Sequence, residues 1–398
     1  MTFLCIASYE KGYDFMVALK KLGANVILLT SQSLENANWP REFLDDIYYM
    51  PDINKEWNMN DVINAVSYLA RSVKIDRIVA LDDFDVEKAA KLREHLRVPG
   101  MGDTTARYFR DKLAMRMRAK EVGINAPEFV HILNYDEIKN FIRLFDPPYV
   151  LKPRMQAGAI GIKKITSPSE LWNAIENLGD DQSFYLLEQF IPGDIYHVDS
   201  IIYNNEIKFA ITSKYGHPPM EVAHEGRVFT SRTIQKETNE DKALKLMNIQ
   251  VLNAMGLLRG VSHTEFIKAK SDGKFYFLET SARVGGANLH ELVKAASGIN
   301  LWEEWAKIEL LSGKGDYELP SIENNHAAIL LSLAKQEWPD MNAFNDEEVV
   351  WRLNKKNHVG VIVKSENYDR ITELITEYVK KFYDEFFASY PAPEKPTD

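Results

Sequence analysis

Cysteine is nearly missing from this chain: Cys5 is the single one in 398 residues, and one thiol cannot build a disulfide framework. It sits inside Phe3-Leu-Cys-Ile-Ala7, an apolar run that reads as a first strand with a small core thiol. No apolar run approaches the roughly 18 residues that a membrane-spanning helix needs. The opening Met1-Thr-Phe-Leu has no basic stretch ahead of its apolar residues, so it is a poor secretory leader and the expected setting is cytoplasmic. Positive charge is in deficit, 48 Lys and Arg against 58 Asp and Glu for a net charge of −10. That argues against nucleic acid or a membrane as partner and leaves room only for a local basic pocket. Gly-x-Gly-x-x-Gly is absent after the first strand, where Ala7-Ser-Tyr-Glu-Lys-Gly12 stands instead, which speaks against a dinucleotide fingerprint.

What is present is an α/β pattern long enough for several domains. Strands at Phe3–Ala7, Asn25–Leu29 and Arg77–Leu81 alternate with helices at Tyr13–Leu22, Asp61–Ala70 and Asp85–Leu96. Such alternation predicts a parallel sheet covered by helices over residues 1–104. After Val98-Pro-Gly100, a helix from about Thr105 to Val122 leads into a smaller α+β segment, giving a linker helix and lid over 105–185. A catalytic region is expected over 186–312 and a carboxy-terminal subdomain over 313–390, with strands at Ala327–Leu333 and Gly360–Lys364 and a closing helix from about Tyr368 to Phe387. The tail 391–398, Pro391-Ala-Pro-Glu-Lys-Pro-Thr-Asp, has a disordered composition.

The most informative feature is a pair of acids. His263-Thr-Glu265-Phe-Ile is followed by the turn Ser271-Asp-Gly-Lys274 and then by Phe275-Tyr-Phe-Leu-Glu279-Thr-Ser281-Ala-Arg283. Apolar runs around Asp272-Gly273 are a strong hairpin signal, and on paired strands two carboxylates can face the same way. Facing carboxylates repel, and the natural cation to hold between them is Mg²⁺ brought by a nucleotide. Arg283 adds a positive fork where phosphate charge would lie. A surface hairpin with incidental acids is the plain alternative.

Upstream residues complete a nucleotide site. Tyr149-Val-Leu-Lys152-Pro-Arg154 reads as a strand delivering a lysine, followed by the flexible loop Met155-Gln-Ala-Gly158-Ala-Ile-Gly161. A lysine opposite a small-residue loop can hold a polyphosphate, the ammonium supplying charge and backbone N–H groups closing over the oxygens. Tyr185-Leu-Leu-Glu188-Gln-Phe-Ile-Pro192-Gly193 is an apolar strand ending in an acid and a turn, which suits a flat heteroaromatic base or is simply an edge strand. Lys112, at a helix opening in Arg110-Asp-Lys-Leu113, is a second phosphate candidate.

In this order (Lys112, Lys152 with its loop, Glu188 with its turn, then Glu265, Glu279 and Arg283) the series resembles the ATP-grasp superfamily. The resemblance covers about residues 1–312 in domain order and is most specific over 149–193 and 260–290. It implies the ATP-grasp fold, with Lys112 and Lys152 on ATP phosphates and the loop at Gly158 as a lid. Adenine would lie along Glu188, Gln189, Phe190 and Ile191, with the Gln189 carbonyl and Ile191 N–H on the base edge and Glu188 on its exocyclic amine. Glu265 and Glu279 would hold Mg²⁺, with Mn²⁺ an alternative. Ser281 stands where the family usually has an asparagine, which leaves a second metal position open.

His-Thr-Glu together with Glu-Thr-Ser-Ala-Arg-Val-Gly-Gly looks like the dipeptide-forming L-amino-acid ligases and carnosine-synthase-type enzymes. The chemistry implied is ATP-dependent amide formation through an acyl phosphate, with ADP and phosphate released. Arg283 would stabilise the acyl phosphate and the tetrahedral intermediate. His263, on the same strand face as Glu265, would hydrogen-bond an oxyanion or else make one structural bond. Gly285 and Gly286 let a substrate approach the backbone before the helix after Asn288, or form a simple tight turn. Within the polar loop Ser213–Arg227, Glu221 would pair with a substrate ammonium and His224 orient it, unless the loop is only a solvated connection. Amino acids or related carboxylates and amines are the expected small-molecule partners, and a homodimer is the commonest assembly for such a chain. A carboxylase-type or nucleotide-pathway ligase is the rival enzyme reading. A non-catalytic ATP-binding protein, supported by Ser281 alone, is the rival of another class.

Overall fold

A computed structural model describes residues 1–52 and 56–389. The first unit runs β1 (Thr2–Ala7), α1 (Tyr13–Lys21), β2 (Asn25–Ser31), β3 (Asp46–Met50), α2 (Met59–Leu69), β4 (Arg77–Ala80) and α3 (Val86–Leu96). Its four strands form a parallel sheet in the order β3-β2-β1-β4. Continuous apolar runs make β1 and β2 buried strands, as a parallel sheet covered on both faces requires. The edge strand β3 went unread in the sequence because its paired tyrosines break any alternation.

The helix expected over Thr105–Val122 is two helices, α4 (Asp103–Arg107) and α5 (Lys112–Glu121). Asp111 starts the second one: its carboxylate accepts from the Leu113 N–H at 3.0 Å and is gripped by Arg154. Lys112 therefore opens a helix at its N-terminus.

β5 (Phe129–His131), α6 (Tyr135–Leu144), β6 (Tyr149–Pro153), β7 (Lys163–Ile165), α7 (Pro168–Leu178) and β8 (Tyr185–Gln189) make an antiparallel lid in the order β5-β8-β6-β7. The lid sheet thus takes in residues 186–189, beyond the boundary expected at 185. A nine-stranded sheet follows. It is built from β9 (Gly193–Tyr203), β10 (Glu206–Tyr215), β11 (Phe229–Thr233), β12 (Gly260–Ala269) and β13 (Phe275–Ser281), with α8 (Pro219–Glu225), α9 (Asn239–Met255), α10 (Leu289–Ser297) and α11 (Leu301–Leu311) between and after them. Part of the loop expected over Ser213–Arg227 is thus helical, as α8, and stops at Gly226 in a left-handed conformation.

Residues 313–390, expected as an appended subdomain, add β14 (His326–Ala334), β15 (Val349–Arg352) and β16 (His358–Ser365) to the same sheet through the β11–β14 ladder. The closing helix α12 (Tyr368–Lys381) is shorter than expected. Phe382 and Phe386 turn inward onto Phe344 in a wider helical turn, and β17 (Phe387–Ala388) pairs with β14. The expected disordered tail, 391–398, lies outside the described residues.

The amino-terminal unit and the large sheet share one core. Phe15 of α1 packs on Trp305 of α11 with ring centroids 5.0 Å apart, within a cluster that also holds β1, β2 and α10 residues. Among the described residues no helix is long and apolar enough to cross a membrane.

Candidate active site

The hairpin β12–β13 sets Glu265 directly opposite Glu279 in register, with an irregularity immediately after the pair. A directly opposite pair presents both side chains on one face, here toward the lid. Lys112, at the start of α5, places its ammonium 2.7 Å from Glu279 and donates to the Gln156 carbonyl at 2.7 Å. Burial works against charge on Glu279, but Lys112 outweighs it and holds the carboxyl below its ordinary range. Glu265 accepts from the Tyr215 hydroxyl at 2.9 Å. Burial first, and Glu265 next, push that phenol well up.

The lid supplies the facing wall. Lys152, on β6, lies 2.7 Å from Glu188 on β8, and Arg116 of α5 reaches the same carboxylate at 2.8 Å. Arg116 is fully buried and Glu188 nearly so. Burial lowers the Lys152 pKa to about 8 against the pull of Glu188. The loop between β6 and β7 is pinned over α5: Arg110 donates to the Met155 carbonyl at 2.5 Å and Lys112 N–H to the Arg154 carbonyl at 2.9 Å. Gly158, Ala159 and Gly161 all take positive φ there, a conformation that glycine adopts without a side-chain clash.

Two cavities meet at the acids. One, of about 380 Å³, runs from Lys152 and Glu188 along Gln189, Phe190 and Ile191, with Ile195, Ile267 and Leu278 as its apolar floor. Lys164 lies 4.2 Å over the Phe190 ring. The other, of about 420 Å³, is lined by Phe84, Tyr215, His263, Arg283 and Gly286. Both share Lys112, the loop 156–160, Glu265 and Glu279.

At the second cavity His263 donates through Nδ1–H to Asp199 at 2.9 Å, and its Nε2 faces Glu265 at 3.5 Å. Burial opposes charge on His263, but Asp199 and Glu265 together outweigh it and hold its pKa at about 10. The other Asp199 oxygen takes His197 at 2.7 Å, whose Nε2 meets Ser231 at 2.7 Å. His197, Asp199 and His263 are the one buried His/Asp grouping among the described residues that could bind a metal, yet both Asp199 oxygens are already occupied by imidazole nitrogens. Arg283 is not a free fork: its Nε donates to Asp83 at 2.7 Å and its Nη1 to the Val284 carbonyl at 2.7 Å. Asp83, just past β4, is thereby held far below the usual carboxylate range, although burial opposes this.

Residues 145–291 match the ATP-grasp domain family. The L-amino acid ligase from Bacillus licheniformis superposes with a TM-score of 0.77 over 98% of each chain at 18% identity. The chain has the ATP-grasp fold. The N5-carboxyaminoimidazole ribonucleotide synthetase of Thermotoga maritima superposes with a TM-score of 0.71 over 98% of this chain and 99% of that one, at 17% identity. In sequence, the L-arginine-specific L-amino acid ligase of Bacillus subtilis is 24% identical over 277 residues, 67% of this chain and 64% of that protein. Alanine–anticapsin ligase of Bacillus subtilis strain 168 is 22% identical over 302 residues, 70% of this chain and 62% of that protein. The chain thus spans a little under two thirds of the length of these two curated relatives.

The ATP-grasp cleft brings Lys112, Lys152, Gly158, Glu188, Gln189, Phe190, Ile191, Glu265 and Glu279 onto one cavity. Glu221 and His224, expected to border one pocket, are divided between the two: Glu221 lines the first and His224 the second. Gly286 faces the second cavity, whereas Gly285 packs behind it, where a Cβ would lie 3.0 Å from His263 Nδ1 and 3.1 Å from Asp199 Oδ1. Arg116, Asp83, Asp199, His197 and Tyr215 escaped the sequence reading. Signals existed: Arg116 stands four residues after Lys112 on one helix face, and His197 and Asp199 alternate within a strand rich in apolar residues. The donor set of the ATP-grasp acids suits a hard divalent cation, two facing carboxylates with the Ser281 hydroxyl two residues beyond Glu279.

Proposed function

We propose that this chain is an ADP-forming carboxylate–amine ligase that joins amino acids or related carboxylates and amines. The observation that carries the reading is the opposed pair Glu265 and Glu279 at the shared wall of the two cavities. A phosphate donor on one side and a carboxylate on the other would meet at these acids.

In this reading Lys112 and Lys152 bind the phosphates, and the Glu188–Ile191 stretch takes adenine. Glu265 and Glu279 would hold Mg²⁺, or Mn²⁺ in its place, which would supply neutralising charge to phosphate oxygens. The substrate carboxylate attacks the γ-phosphorus and the bridging oxygen leaves with ADP. The amine nitrogen then attacks the acyl carbon, phosphate leaves, and the surplus amine proton passes to solvent. Arg283, oriented by Asp83, faces the acyl oxygen, and His263, kept protonated by Asp199, donates toward the oxyanion through Nε2. Dependence on ATP supports a cytoplasmic setting.

The test is release of ADP, AMP and phosphate from MgATP against pooled amino acids and amines. ADP and phosphate that appear only with amino-acid pairs are expected. AMP as the product, or ADP release indifferent to every amine, would overturn the reading.

A further inference from the structure

The large sheet also opens at a place that shares no lining residue with the two cleft cavities. β11 pairs with β10 only over Ser213–Tyr215, with one further bond from the Ile234 N–H to the Thr212 carbonyl at 3.1 Å, so β10 from Phe209 to Ile211 is laddered on one side alone, by β9. A separate cavity of about 210 Å³ occupies that opening, between the strand edge and the first turns of α9. Its walls carry three half-buried lysines, Lys208, Lys236 and Lys245, against one lining carboxylate, Asp241, and Lys208 is paired with Glu206 just outside the lining at 2.5 Å. Asp241 is already engaged by Lys245 at 2.8 Å and by the Glu237 N–H at 3.0 Å. Lys236 reaches only neutral acceptors, Asn324 Oδ1 at 2.9 Å and the Glu323 carbonyl at 3.3 Å. Burial first, and repulsion from Lys245 next, lower its pKa.

Thr212 gives an independent sign. It is 2% exposed, lines this cavity, and its hydroxyl has no hydrogen-bond partner among the described residues. Buried hydroxyls are rarely left unpaired, because desolvation without a bond is costly. Phe209, Ile211 and Ile234 complete the wall with apolar surface.

We propose that this cavity is a second ligand site, for a small molecule carrying a phosphate or carboxylate on a body of a few carbons. Lys236, whose ammonium meets only neutral acceptors, faces the charge, Thr212 supplies the hydrogen bond, and the three apolar side chains hold the carbon body. The site lies on the strand that also carries Tyr215 into the cleft, so occupancy can be felt there.

The test is calorimetric titration of the full chain, presaturated with MgADP, with two probes: inorganic phosphate and isovalerate. Saturable binding near about 1 mM or tighter is expected for at least one probe. The tighter one identifies the anionic group. Lys236→Met and Thr212→Val should each weaken it by about tenfold or more. Thr212→Val should melt no lower than the parent without ligand, since it removes an unpaired hydroxyl. No saturation by either probe below about 10 mM, or equal binding by the parent and both cavity variants, would overturn the proposal.

Discussion

Glu279 carries two loads, a place beside Glu265 and an ion pair with Lys112. Glu279→Gln keeps the shape and removes the charge, so ADP release should fall by about 100-fold or more, on the scale of losing a group aimed at the transition state. Far-UV dichroism should stay unchanged, and near-normal turnover would remove Glu279 from the metal-holding role. Lys152 offers a pH test. Its ammonium is lost as pH rises through about 8, whereas bound phosphate favours the charged form. Nucleotide affinity should therefore weaken above pH 8, with proton uptake on binding, and Lys152→Arg should flatten the profile in a fluorescence titration. Glu265 and Glu279 were legible in the sequence because Asp272-Gly273 fixes their register locally. The partner of Arg283 was not: Asp83 lies 200 residues away, and no local pattern names it.

At the scale of elements, α5 joins the lid to the cleft. Lys112 at its first position reaches Glu279, and Arg116 one turn on reaches Glu188. Removing one partner of a buried ion pair costs about 3–5 kcal/mol. Arg116→Met should fall at or somewhat below that range in urea unfolding, because Lys152 still accompanies Glu188. A loss under about 0.5 kcal/mol, the scale of an ordinary surface change, would make the pair incidental. The break before α5 could not be read from periodicity, since its cause is Arg154 holding the capping Asp111 across the chain. For the same reason the end of α12 was misplaced: Phe382 and Phe386 answer to Phe344, not to helical spacing. The parallel strands β1, β2 and β4 were readable because their apolar runs are short, continuous and flanked by turns.

At the scale of the molecule, the amino-terminal unit reaches the second cavity through Asp83, which pairs with Arg283 there. Asp83→Ala should lower kcat/KM for the carboxylate substrate by about tenfold or more, as misplaced positioning groups do, and leave ATP affinity within about twofold. Equal losses for both ligands would instead point to a general opening of the fold. One contact has a wider consequence. The Lys112 ammonium that would meet a phosphate is the same one that screens Glu279, and it cannot serve both anions fully. If the proposed function holds, nucleotide arrival would be an exchange of counter-ions, in which Glu279 receives a divalent cation as it gives up its lysine. ATP stripped of metal would leave two bare acids against its own phosphates, so it should bind at least about tenfold more weakly than MgATP, and Glu279→Gln should narrow that gap. Under the proposed function, charge balance at one lysine would then select the metal-bound form of the nucleotide before any substrate carboxylate is engaged.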